Sequence, residues 1–260
     1  MSVEVVLQTE NIREDSVFWY IYRAQSSGNI YPLEIGSLLC QAKDLVCEHE
    51  KVWAACAKGC SNYGSAGGCP PRSPKLEDLA SPENPVWLIY CRFWSKFKHE
   101  KVLVSRNSAI HWKFQDAILA RLLANIGYKL APLLKGSFLS TGYCMGCVGK
   151  KCNFKLGLDF CRNPHKRTFS MEATGINVVE TIKKLFNIEL YWYSKGNTDV
   201  PYMFKCIAVF PGKVIDKNVS VPLLINTVNE FPSCLCQYNS NEYWNYLNEN
   251  LLEDTKSKKN

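Results

Sequence analysis

Seven of the thirteen cysteines in this 260-residue chain fall into two short stretches whose spacing suits metal ligation. The later stretch sets out Cys144, Cys147, Cys152 and Cys161 as Cys-x2-Cys-x4-Cys-x8-Cys, with Gly146 and Gly149 letting the backbone fold tightly around four sulfurs. The earlier one holds Cys56, Cys60 and Cys69-Pro70-Pro71. Thiolates so grouped can hold zinc or an iron–sulfur cluster. Iron–sulfur clusters usually take four thiolates, and three close cysteines with a more distant fourth followed by proline recur in ferredoxins; here Cys161 leads into Arg162-Asn163-Pro164. Structural zinc more often uses two Cys-x2-Cys knuckles, and only Cys144 and Cys147 form one. An iron–sulfur cofactor is therefore favoured, as one or two 4Fe-4S clusters, with zinc the alternative. Three thiolates on a four-iron cluster would leave one iron open to substrate, so Cys56, Cys60 and Cys69 raise the prospect of an enzyme. A single centre drawing ligands from both stretches also remains open, as does thiol–disulfide chemistry at Cys144 and Cys147.

Polar groups follow Cys161. Arg162 and Arg167 could clamp a carboxylate or phosphate, and Glu172 could orient them or accept a proton, which makes these three the catalytic candidates. The alternative is that they bond the cysteine loop and cap the next helix. His165, beside Lys166 and Arg167, is expected to be exposed. Cys40, Cys47, Cys91 and Cys206 fit packing positions. Cys234 and Cys236 stay ambiguous, because two thiols alone cannot complete a tetrahedral site.

The elements that must position these groups alternate in type. Strands are expected over residues 16–23, 86–94, 136–141, 188–193 and 202–210, from their aromatic and β-branched content. Helices are expected over 33–46, near 76–79, from an Asn107 cap to Gly127 with an exposed His111, over 175–186, and over 241–252 before a charged, disordered tail. Four glycines and two prolines deny residues 53–71 helix or strand, leaving a loop. The Gly67-Gly68 pair should loosen it. The fold class is α/β, an α+β sandwich having one mixed sheet, amphipathic helices and the two cysteine-rich loops at one end. Residues 1–210 form the metal-binding domain and 211–260 a C-terminal extension.

Composition bounds the setting. A hydrophobic content of 47% is ample for a core, and no apolar run is long enough to span a bilayer. The N-terminus lacks the pattern of a signal peptide, so a cytoplasmic location is expected, where disulfides are disfavoured and cysteines turn to metal. The net charge of +7 is uneven: residues 92–167 carry 15 Lys and Arg against 3 Asp and Glu. That excess suits an acidic redox partner or a small anionic substrate; nucleic acid is a less favoured partner, and no membrane is implied.

At these residues the chain resembles a prokaryotic family of predicted metal-binding proteins of unknown function. The resemblance rests on Cys56, Cys60, Tyr63-Gly64 and Cys69-Pro70-Pro71, followed by Cys144, Cys147, Cys152, Cys161-Arg162-Asn163-Pro164, Arg167 and Ser170-Met171-Glu172-Ala173-Thr174-Gly175-Ile176. It covers about residues 15–210 and implies metal binding while leaving the reaction open. The family's usual aromatic residue before Cys-Pro-Pro is replaced here by Gly67-Gly68.

Overall fold

A computed structural model describes residues 16–147 and 149–251. Its central strand, Pro85–Trp94, is apolar on both faces, so it must be covered on both sides. Trp87, Ile89, Cys91 and Phe93 enter one core; Val86, Leu88 and Tyr90 enter another. The sheet around it comprises β1 (Ser16–Arg23), β2 (Ile30–Gln41), β3 (Pro85–Trp94), β4 (Ser137–Leu139) and β5 (Tyr202–Phe210), in the order β1-β2-β3-β5-β4. Among the described residues the helices are α1 (His49–Gly59), α2 (Glu100–Leu103), α3 (Ser108–Leu133), α4 (Val178–Phe186), α5 (Lys217–Asn229) and α6 (Asn241–Asn250). Leu119, Leu123, Ile126 and Leu130 of α3 and Leu224 and Val228 of α5 cover one face of the sheet. Ile182 and Phe186 of α4, with Met171 and Ile176, cover the other. The architecture is an α/β sandwich.

Several elements differ from expectation. Among the described residues all strand ladders are antiparallel, so the sheet is not mixed in strand direction, and the one parallel contact is the isolated Ser140–Ser170 bridge. Residues 33–46 are not a helix. They belong largely to β2, which pairs with β1 and β3 and is buried on both faces, Glu34 and Ser37 included, so no clean period-2 alternation marks it as a strand. Helix α3 starts at the Asn107 cap, whose side chain accepts from the Ala109 N–H, but runs six residues past Gly127. Gly127 is a packing glycine: a Cβ there would lie 2.3 Å from the Phe138 ring. Residues 188–193 form no strand, because their aromatic side chains pack without a backbone ladder, as where Tyr191 meets Tyr202 edge-on.

His111 is buried at 2% exposure, contrary to an exposed role. Its Nε2 donates to the Ser105 carbonyl at 2.8 Å and Nδ1 accepts from Lys98 at 2.7 Å, which satisfies both ring nitrogens. Cys47 is exposed rather than packed, since its backbone bridges to Ile176 at the surface of the second core. Helix α5 was not expected, because Pro222 interrupts its pattern. Its apolar side chains join the main core. Helix α6 matches the 241–252 expectation up to Asn250, and the charged tail from residue 252 lies outside the described residues.

Candidate metal centre and its cavity

Two of the early cysteines, Cys56 and Cys60, sit at a helix end, and Cys69 follows in the loop beyond it. Residues 49–59 include Ala54, Ala55 and Ala57, strong helix formers that outweigh the glycines beyond them, so α1 forms where a loop was expected. Cys56 and Cys60 are thus one turn apart, and the Cys60 N–H donates to the Cys56 carbonyl at 3.0 Å. The helix has no buried residue of its own and is held by Trp53, whose Nε1 donates to the Ala173 carbonyl at 2.9 Å. Ser73 donates to the same carbonyl at 2.6 Å, tying down the chain that leaves Cys69-Pro70-Pro71. The Ser170–Ile176 motif is therefore the hub on which both arms of the early set are pinned.

Three thiols and a carboxylate share this region. Burial pushes the Cys69 thiol up to about 12, with Cys60, Cys56 and Glu172 adding to the rise. Burial also raises Cys56, reinforced by Cys60 and Glu172. Such mutual repulsion among anions is what a bound cation relieves. The Glu172 Oε2 atom is buried without a hydrogen-bond partner.

The later set is wrapped by N–H donors. Cys144 Sγ accepts from the Gly146 and Thr168 N–H groups, each at 3.4 Å. Asn163 Nδ2 donates to the Gly146 carbonyl at 2.9 Å and lies 3.7 Å from Cys147 Sγ. Burial raises the Cys147 thiol; Asn163 opposes this, while Cys152, Cys161 and Cys144 reinforce it. For Cys152 burial also acts upward, but N–H groups of Gly67, Phe154 and Lys155, together with the Lys155 ammonium, outweigh it and hold this thiol below its ordinary value. Donors around sulfur suit a thiolate that ligates metal.

The two sets meet at Gly67 and Gly68, which are buried and closely packed rather than loose. A Cβ on Gly67 would lie 2.4 Å from the Phe154 ring, and one on Gly68 would lie 2.6 Å from the Cβ of Cys144. Arg167 braces the same junction, donating to the carbonyls of Gly67 at 2.8 Å and Arg72 at 2.9 Å and stacking over Phe169. Arg162 donates through Nε and Nη2 to Asn153 Oδ1. Both arginines bond the cysteine loops. His165 is exposed, as expected.

A cavity of about 840 Å³ opens beside the early set. It lies along the part of β5 that β4, pairing only with Ala208–Phe210, leaves uncovered. Cys56, Cys60, Cys69 and Glu172 line it; Cys144, Cys147, Cys152 and Cys161 do not. Its lining also includes Tyr191, Trp192 and Trp112, which spacing alone did not mark as functional. The aromatic run 191–193, expected in a strand yet left without a ladder, was their only signal in sequence.

Both cysteine stretches and the Ser170–Ile176 hub lie within residues 39–207, which match the family model described as "Predicted metal-binding protein (DUF2284)". The chain belongs to this family. No curated protein and no solved structure matches it. Among the described residues, no three His, Cys, Asp or Glu side chains are drawn together as a ready ligand shell, so the two sets are neighbouring thiols rather than finished coordination spheres. Nor, among these residues, is any helix long and apolar enough to cross a membrane. Cys234 and Cys236 stand apart: Tyr22 bridges to Cys234, whose Sγ bonds the Cys236 carbonyl at 3.1 Å.

Proposed function

We propose that this metal-binding protein is an iron–sulfur redox enzyme with two centres. Cys144, Cys147, Cys152 and Cys161 would hold a fully thiolate-ligated 4Fe-4S cluster that relays electrons. Cys56, Cys60 and Cys69 would hold a second cluster with one iron free of protein ligand. The observation that carries this reading is the asymmetry of the cavity, which is lined by the three-cysteine set and by no member of the four-cysteine set. An incompletely ligated centre facing a cavity suits substrate chemistry, and a complete one behind it suits electron supply. The N–H donors around Cys144 and Cys152 support iron–sulfur ligation, since such bonds tune cluster potential. The basic stretch over residues 92–167 would receive an acidic electron-donor protein.

Anaerobic purification with iron, acid-labile sulfide and visible spectroscopy tests the reading. The expected result is brown protein with about eight irons and eight sulfides per chain, bleached by dithionite. Replacing Cys56 by Ala should remove about half of the iron and leave the rest. Colourless protein carrying zinc and no sulfide, even after expression in excess iron, would overturn it.

A further inference from the structure

The cavity lining combines two unlike groups of side chains, the thiols of Cys56, Cys60 and Cys69 and the aromatic rings of Tyr191, Trp192 and Trp112. Trp192 is 62% exposed, Trp112 46% and Tyr191 41%, although each ring has apolar faces that water solvates poorly. Three half-open aromatic side chains lining one cavity offer ring faces on which a flat ligand can stack. The cavity volume lies within the usual range for small-molecule sites.

Charge narrows the ligand further. The two lysines on the lining are already paired, Lys205 with Asp116 at 2.7 Å and Lys51 with Glu48 at 3.0 Å. Glu172 also lines the cavity, and its Oε2 is buried without a hydrogen-bond partner. An anionic ligand would meet this carboxylate, with Lys205 held by the largely buried Asp116 and Lys51 only at the exposed rim. A neutral ligand avoids that repulsion, and a hydroxyl or N–H on it can donate to the carboxylate.

We infer that the substrate of this site is a neutral, planar aromatic or quinonoid-type small molecule bearing a hydrogen-bond donor, held by the Tyr191, Trp192 and Trp112 rings and Glu172 with one edge toward the three cysteines. This rests on the reading of the cavity as a substrate site and adds the class of substrate.

Isothermal titration calorimetry of the anaerobically purified full chain tests it with three probes: 2-naphthol, 2-naphthoate and 2-methoxynaphthalene. The expected result is one-to-one binding of 2-naphthol, about tenfold tighter than either of the others. Trp192→Ala should weaken 2-naphthol about tenfold, whereas Trp244→Ala, on α6, should leave it unchanged. Glu172→Gln should narrow the gap between 2-naphthol and 2-naphthoate by removing the repulsive charge. Absence of 2-naphthol binding, equal affinity for 2-naphthoate, or an indifferent Trp192→Ala variant would overturn the inference. Iron and sulfide measured on the same samples keep the two questions apart. Clusters without 2-naphthol binding would sink the substrate class alone, and zinc without sulfide would sink the redox reading alone.

Discussion

Gly68 lies flush against Cys144: a Cβ on the glycine would stand 2.6 Å from the Cβ of the cysteine and 2.5 Å from the Thr168 carbonyl oxygen. This contact joins the three-cysteine and four-cysteine sets. One neighbour is a backbone carbonyl and the other a Cβ fixed directly to the Cys144 backbone, so neither can swing away as a flexible side-chain end could.

Gly68→Ala should therefore push the two loops apart. We expect a loss of about 1–3 kcal/mol in folding stability together with reduced metal content in both sets. Thermal unfolding and metal analysis would check this, with Gly59→Ala as control, because nothing lies within 4 Å of a Cβ at Gly59. Unchanged metal in Gly68→Ala would mean that the sets do not depend on this contact.

Arg167 spans the same junction with a planar fork that lysine cannot reproduce. Arg167→Lys should lose one of the bonds to the Gly67 and Arg72 carbonyls and weaken stacking on Phe169, costing about 1–3 kcal/mol in urea unfolding. A variant of normal stability would argue that the guanidinium serves a ligand instead of the loops.

Cysteines should divide sharply by location. Cys152→Ser and Cys69→Ser should each lower bound metal, whereas Cys234→Ser and Cys236→Ser should leave it intact, since this pair lies with the Tyr22 edge of the sheet. Metal analysis of the four variants decides it. Loss of metal in Cys234→Ser would bring the C-terminal pair into the centre.

Lys98 offers a pH signature remote from the cysteines. Its ammonium is enclosed with His111 and Tyr193, no carboxylate bonds it among the described residues, and burial lowers its pKa from 10.5 to about 8. Between those values the unfolded chain holds more protons at this site than the folded one, so the Lys98 contribution to stability rises with pH across that window. Buried tyrosines and thiols with raised pKa act in the opposite sense, so the informative quantity is the difference from Lys98→Met. Stability of the native chain relative to that variant should increase from about pH 8 to about pH 10.5 in urea titrations. A flat difference would mean that the ammonium is as well solvated folded as unfolded.

Much of the molecule was legible from residue order alone. β1 and β5 match their expected bounds, because aromatic and β-branched runs flanked by turns have few alternatives. Helix α3 was recognisable from its Asn107 cap and repeating apolar face. Cysteine spacing marked both sets, since ligands close in sequence are unavoidably close in space. Other features depend on partners distant in the chain. β2 is a strand because β1 and β3 flank it, and α1 is anchored by Ala173, 120 residues beyond Trp53. Gly67 and Gly68 read as slack until Phe154 and Cys144 fill the space beside them. The cavity belongs wholly to tertiary structure: Cys56 and Cys60 come from the end of α1 and Cys69 from the loop beyond it, its aromatic side chains from residues 191–193 and the start of α3, and further lining from the part of β5 that β4 leaves uncovered. Spacing along the chain reports which groups can share a ligand. Only packing decides which of them face open space.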